Sequence, residues 1–214
     1  MKELYGLDVS PDEFIPFTGT GEANFLGGVA AKCGAVGFEV GAAKAKFFEI
    51  YLAKYAVPGA GIGYPGAREL VEACRAAGLK TAVASSADLV KVRANLAAAG
   101  IPLALFDAVV SADAFERLKP FPDIFLAAAA QVGAPPGACV VIEDAVAGVA
   151  AARAAGMRVI GVATTMGAAE MEDAGPDAVL PQIREISVET IRGLELRPGA
   201  LAGAAAAAAS QVRA

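Results

Sequence analysis

The spacing of apolar and polar residues changes partway along this chain. In residues 40–55, apolar side chains such as Phe47 and Tyr51 recur at helical intervals with charged residues between them, as on a half-buried helix. Nearer the start, Ser10 is followed by Pro, Asp and Glu, an order typical of a capped helix start. The pattern predicts that residues 1–57 form a small helical cap subdomain.

From residue 66 onward, short apolar runs alternate with helical patterns. The predicted strands are 81–84, 108–110, 140–142 and 159–162, and the predicted helices are 67–77, 89–99, 123–132 and 145–155. Strands that are apolar on both faces are typical of a parallel sheet covered by helices on both sides. The sequence therefore predicts an α/β fold with a doubly wound, Rossmann-like core at 66–191. Residues 58–65, rich in Gly and Pro, are predicted to be a linker, and residues 192–214 an Ala-rich tail or linker.

Composition and charge exclude several classes of function. Hydrophobic residues make up 56% of the 214 residues and charged residues 19%, which indicates a folded chain with a sizeable core. The net charge is -5 and the Lys and Arg residues are scattered, so no basic surface for nucleic acid is expected. Before residue 195 no apolar run approaches the ~18 residues that a membrane-spanning helix needs. The chain has no His, which excludes every mechanism with an imidazole base.

The three cysteines, Cys33, Cys74 and Cys139, form no C-x-x-C pair. Their odd number in apolar surroundings predicts reduced, mostly buried thiols in a reducing compartment. A catalytic cysteine would have no histidine partner, and any redox role of the three stays open.

Polar residues follow three of the predicted strands, at the positions where parallel sheets bind ligands. Ser85 and Ser86 end the first strand, and hydroxyls before a helix N-terminus are typical of an anion site. The alternative is that one of them only caps the next helix. Lys119 lies in a proline-bracketed loop after the second strand, where it can neutralise an anion. The alternative is a solvated surface lysine.

Two adjacent carboxylates, Glu143 and Asp144, follow the third strand. Asp144 has a simple structural explanation as a helix N-cap, whereas Glu143 has none. A carboxylate after a buried strand is costly without a partner, which favours a lysine or a Mg²⁺ ion that keeps several waters. Hydroxyl, lysine and paired carboxylates at successive strand ends predict a single site for an anion and its metal.

At these residues the chain resembles the haloacid dehalogenase-like hydrolase superfamily, in its branch with a helical cap, which includes β-phosphoglucomutase and many small phosphatases. AVASS at 82–86 resembles the second family motif, LKPFPDIF at 118–125 the third, and VIEDAVAGVAAARAAGM at 141–157 the fourth. The resemblance covers residues 1–191.

The resemblance implies a role for each residue at the strand ends. Ser85 and Ser86 would bind the transferred phosphoryl group, and Lys119 would bridge the phosphate and the nucleophile. Glu143 and Asp144 would complete a Mg²⁺ site.

The resemblance also implies a substrate loop in the cap at Gly21 and Glu22, and a cis Lys119–Pro120 bond. The loop contains no arginine, which favours a phosphatase over a sugar-phosphate mutase. A dinucleotide site at the same turn is the alternative, but the third glycine of that motif is missing.

More narrowly, FIPFTGTGEANFLGGVA, FFEIYLAKYA and SADAFERLKPFPDIFLAAA resemble the hydrolase-like domain of a multidomain chloroplast thylakoid protein of plants and algae. In that protein the domain precedes thioredoxin-like and β-propeller domains. The resemblance implies a chloroplast location and tethering to such domains in a longer protein. The alternative is a soluble intracellular phosphatase of bacterial type, unrelated to plastids.

One part of the family pattern is absent. The first motif, Asp-x-Asp-Gly at the end of the first core strand, supplies the attacking aspartate and the general acid and base, and this sequence has no Asp-x-Asp. The resemblance implies that roughly 20 to 30 residues, including the central strand of the sheet, precede the point that Met1 matches. We therefore expect the first core strand to be missing from this chain, with two strand edges left unpaired.

For a complete domain, the resemblance implies a Mg²⁺-dependent phosphatase that hydrolyses a small phosphomonoester through an aspartyl-phosphate. Without the nucleophile motif, we expect this chain to be inactive alone, so its standing as an enzyme is open. The alternative is a non-catalytic regulatory or interaction module of a multidomain chloroplast protein.

Overall fold

The computed structural model describes residues 1–195 of the chain. The helices are α1 (Lys2–Tyr5), α2 (Glu22–Lys32), α3 (Val40–Lys54), α4 (Ala67–Ala76), α5 (Leu89–Ala98), α6 (Asp123–Val132), α7 (Val146–Ala154), α8 (Ala168–Asp173) and α9 (Val188–Gly193). The strands are β1 (Ala82–Ala84), β2 (Ala108–Val110), β3 (Val140–Glu143), β4 (Arg158–Val162) and β5 (Ala178–Leu180). From residue 196 onward, the predicted Ala-rich tail lies outside the described residues.

The N-terminal part is helical, as predicted, but the element after Ser10 is a 3-10 helix, Pro11–Phe17. The Ser10 hydroxyl caps it by accepting a backbone N–H of its first turn. Pro16 lies inside this element and has no N–H to donate, which disfavours an α-helix there. Three rings, with centroid distances of 4.9 and 6.3 Å between neighbours, hold it against α2 and α3: Phe14, Phe25 and Phe47.

Every strand pair is parallel, and the five strands form two sheets. β1 pairs with β2, and β3, β4 and β5 pair in that order. Within residues 1–195, four strands, namely β1, β2, β3 and β5, each have one edge without a hydrogen-bonded strand. The expected absence of the first core strand stays a prediction.

The two sheets lie under one shared hydrophobic layer. Helix α6 packs on β1 and β2, α7 packs on β3 and β4, and the two helices touch. Ala84 of β1 packs against the buried clusters around both helices. We call the space between the free edges of β1 and β3 the strand slot.

The opposite face of the second sheet is covered by α4 and α9, where Leu70 and Cys74 pack on Ile160 and Val162. Helices on both faces confirm the predicted doubly wound α/β fold. The structure adds α8, β5 and α9, for which no elements were predicted, and the division into cap, linker and core stays a prediction. In residues 1–195 no helix has both the length and the apolar character needed to span a membrane.

The three cysteines are free thiols. Cys74 is buried, whereas Cys33 and Cys139 are half-buried, so burial is less complete than predicted. Burial raises the pKa of the Cys74 and Cys139 thiols, which lowers the fraction of reactive thiolate at neutral pH.

Candidate active site

The loop after β1 carries Ser85 and Ser86, and their hydroxyls have different partners. Ser86 is buried, and its Oγ accepts the backbone N–H of Lys119 at 3.4 Å. Ser85 Oγ accepts the N–H of Ala87 at 3.1 Å within its own turn. Neither serine caps α5, whose N-cap residue is Asp88. Ser86 therefore links the first strand-end loop to the second, while Ser85 keeps a local contact.

Lys119 is a buried residue, 5% exposed, so it is not a solvated surface lysine. Its Nζ lies 3.2 Å from Glu143 Oε1 and 4.6 Å from the centroid of the Phe125 ring. The Lys119–Pro120 peptide bond is cis, as the family resemblance implies. Lys119 thus joins the loop after β2 to the end of β3 by a buried ion pair.

Glu143 is the last residue of β3, and its carboxylate is enclosed by protein. Burial raises the pKa of this carboxyl, and the Lys119 ammonium opposes the rise. On the far side, a Cβ atom on Gly148 would overlap the Glu143 carboxylate. The position of the carboxylate therefore depends on a glycine in α7 as well as on the lysine.

Asp144 is half-buried and accepts a hydrogen bond at Oδ2 from the hydroxyl of Thr165. It does not cap α7, whose N-cap residue is Ala145. Thr165 was not among the predicted site residues. The signal was available, because Thr164 and Thr165 follow the fourth strand just as the other site residues follow the first three.

The donor set at the strand ends is compatible with Mg²⁺ but incomplete. Glu143 and Asp144 supply carboxylate oxygens, and Mg²⁺ commonly takes one or two carboxylates with waters and substrate phosphate. Among residues 1–195, no group of three or more Asp, Glu, Cys or His side chains is placed to hold a metal ion. Further oxygen ligands would have to come from the substrate, water or another segment.

The turn before α2, predicted as a substrate loop, lies against all three strand-end loops. A Cβ on Gly21 would overlap Leu118 and lie 3.1 Å from the Ser86 carbonyl oxygen, and one on Gly19 would lie 3.0 Å from Ala145 Cβ. Both glycines have positive φ, 93° and 80°, a backbone region that favours glycine. The turn can therefore approach the site this closely only because it carries no side chain at either position.

Glu22, predicted with this loop, does not point its charge into the site. Its carboxylate lies 3.1 Å from Lys91 Nζ and accepts the N–H of Asp88 at 3.3 Å. Lys91 was not predicted, because nothing in its sequence context distinguishes it from a surface lysine.

Known proteins resemble this chain both in sequence and in fold. The sequence profile of the haloacid dehalogenase-like hydrolases matches residues 3–156. Protein SUPPRESSOR OF QUENCHING 1, chloroplastic, of Arabidopsis thaliana is 61% identical over 87% of this chain and 18% of its own length. Hexitol phosphatase A of Escherichia coli is 36% identical over 58% of this chain and 56% of its own length. The chain thus spans less than two thirds of these relatives.

A solved structure, CbbY from Rhodobacter sphaeroides in complex with phosphate, superposes with a TM-score of 0.75 at 26% identity. The superposition covers 91% of this chain and 88% of that one.

Proposed function

The chain belongs to the haloacid dehalogenase-like hydrolases, and we propose that its strand-end site hydrolyses a small phosphomonoester with Mg²⁺ once an Asp-x-Asp strand occupies the strand slot. The observation that carries the proposal is the buried Lys119–Glu143 pair, because it joins the loop bonded to Ser86 with the loop of Asp144. A fixed cation, two carboxylates and hydroxyls are the groups that hold a phosphoryl group and a hard metal ion.

Each residue of the site has a proposed role. Ser85 and Ser86 donate hydrogen bonds from their hydroxyls to phosphoryl oxygens, and Lys119 sets a positive charge beside the group being transferred. Glu143 and Asp144 hold Mg²⁺, which when bound offsets negative charge on the phosphate oxygens.

The nucleophile is the part that this sequence does not supply, since it contains no Asp-x-Asp. A strand paired with both β1 and β3 would end between Ser86 and Glu143. An aspartate at its end would attack phosphorus beside Lys119 and form an aspartyl-phosphate as the P–O bond to the substrate alcohol breaks. A second aspartate would protonate the departing alcohol oxygen and then take a proton from the water that hydrolyses the aspartyl-phosphate to inorganic phosphate. We expect residues 1–214 alone to bind a phosphoryl group weakly and to turn over none.

The relatives suggest a substrate class and a location. One is named for dephosphorylating a hexitol, and one neighbour was solved with phosphate, which favours a small sugar or polyol phosphate. The chloroplast name of the 61% identical relative favours a chloroplast location. That relative is much longer than this chain, so we further propose a tether to other domains, of thioredoxin-like and β-propeller type.

A phosphatase assay on three proteins tests the proposal: residues 1–214, a version extended upstream by a strand ending in Asp-x-Asp-Gly, and the same extension with Asn for the first Asp. With p-nitrophenyl phosphate and hexitol phosphates in Mg²⁺, only the Asp version should turn over. Glu143→Ala in that version should lower turnover by about 100-fold or more. Turnover by residues 1–214 alone would refute the expected inactivity, and full activity of the Glu143→Ala protein would refute the metal assignment.

A second candidate is a non-catalytic regulatory or interaction module. It is favoured by the lack of an Asp-x-Asp and by the small share, 18%, that the match covers in the chloroplast relative. In the same assay, the module would be supported if no version turned over substrate although the extended protein was folded.

A further inference from the structure

Glu22 is an acidic residue whose side chain is only 4% exposed, yet it stands at the first position of α2, a helix of the predicted cap. Both of its polar partners belong to the core helix α5 and its N-cap: Lys91 Nζ at 3.1 Å and the Asp88 N–H at 3.3 Å. A buried carboxylate is costly unless it is paired. The charge of Glu22 is thus compensated by protein only while the turn before α2 is seated on the core.

Lys91 is held in turn by the cap. Its Nζ lies 5.1 Å from the centroid of the Phe47 ring and 4.8 Å from that of Tyr51, both on α3, at distances where a cation is attracted to the ring face. The Tyr51 hydroxyl donates to Asn95 Oδ1 on α5 at 3.0 Å. One lysine therefore contacts both cap helices at once, through Glu22 and through the two rings.

Glu22 directly follows the turn that covers the site. Gly19 and Gly21 of this turn lie against Ala145, Leu118 and the Ser86 carbonyl oxygen. If the turn moved away from the site by about 3 Å, Glu22 would lose its contacts with Lys91 and the Asp88 N–H.

We propose that Glu22 and Lys91 are positioning residues that hold the Gly19–Gly21 turn closed over the strand-end site. Their ion pair fixes the height of the turn above Ser86 and Lys119, and entry of a phosphorylated substrate requires the pair to open. The relevance to substrate entry rests on the proposed function, whereas the closure itself does not.

Two neighbouring amides make the closure measurable in the chain as it exists. The Asp88 N–H donates to Glu22, across the cap–core boundary, whereas the next N–H, that of Leu89, donates to Asp113 Oδ2 within the core at 2.7 Å. Residue-resolved hydrogen exchange of these two amides separates opening of the turn from loosening of α5 itself.

In Lys91→Met, exchange at Asp88 and in residues 18–22 should rise about tenfold or more, while Leu89 should change less than about twofold. Lys91→Arg keeps the cation and should restore protection. Lys80→Met, which removes one lysine of the exposed Lys80–Asp107 pair, is the matched control and should change neither amide.

Unchanged exchange at Asp88 in a folded Lys91→Met protein would overturn the proposal. Exchange that rises equally along all of α2 and α3 would also overturn it, because Lys91 would then support the cap as a whole and would not position the turn. The measurement needs no turnover, so failure of the proposed phosphatase activity would leave this result intact.

Discussion

Gly148 lies where the carboxylate of Glu143 needs room. A methyl group there would overlap the carboxylate, which is also held by Lys119. The site therefore depends on a residue that has no functional group of its own. The requirement is steric, so it holds whether or not a metal is bound.

We expect Gly148→Ala to destabilise the protein by about 1–3 kcal/mol, as overpacking does. In a helix interior, Gly→Ala is otherwise stabilising by about 0.5–1 kcal/mol. Gly27 in α2, whose added Cβ would meet only Phe38 at an ordinary 3.8 Å, gives the matched control, and Gly27→Ala should be neutral or stabilising. Urea unfolding measures both, and a stabilised Gly148→Ala protein would contradict the contact.

The carboxyl of Glu143 also makes stability depend on pH. Burial raises its pKa above the ordinary 4.5, although Lys119 acts in the opposite direction. A group whose pKa is raised on folding stabilises the protein below its unfolded pKa, and this contribution is lost as pH rises through the folded pKa.

Glu143→Gln carries no titrating group at this position. With metal chelated, we expect this variant to gain stability relative to the wild type as pH rises above about 4.5. Urea unfolding at several pH values measures the difference. If the difference stayed constant between about pH 4 and 7, Glu143 would not be titrating in the way its burial requires.

At the scale of elements, the strand slot between β1 and β3 has the largest expected effect on folding stability. Unpaired N–H and C=O groups on the free edges of β1 and β3 are costly where they are shielded from water. A strand in the slot would pair both edges and cover apolar surface under α6 and α7. Filling the slot is thus a matter of folding stability as well as of chemistry.

We expect the extended protein with Asn in place of the nucleophile to be more stable than residues 1–214 by about 2–5 kcal/mol. The gain needs no aspartate, so it separates pairing from catalysis. An extension with prolines inside the strand cannot complete the ladder and should give little gain. Equal stability of the Asn and Pro versions in urea unfolding would show that the slot does not accept a strand.

At the scale of the whole molecule, charge limits the partners. The net charge of -5 opposes binding to phosphate backbones. We expect no binding to duplex DNA up to about 100 µM protein at physiological salt, as measured by fluorescence anisotropy. Salt-dependent binding would reveal a basic surface that the sequence does not suggest.

Features that depend on local residue pattern and on the order of strands along the chain could be predicted from the sequence. The two-sided apolar strands and the strand-end positions of Ser86, Lys119 and Glu143 follow from it. It could not predict contacts between distant segments, such as that of Glu22 with Lys91, 69 residues away. Burial of Lys119 likewise comes from tertiary packing, which periodicity does not report.

The pairing register of the second sheet has a consequence for the order of folding. Its partners lie eighteen residues apart along the chain, Val140 with Arg158 and Ile160 with Ala178, so each crossover closes a short loop at small entropic cost. Low sequence separation favours rapid formation. We expect β3, β4 and β5 to form early in folding as one local unit. The free edge of β3 is then available to pair with a strand that folds later.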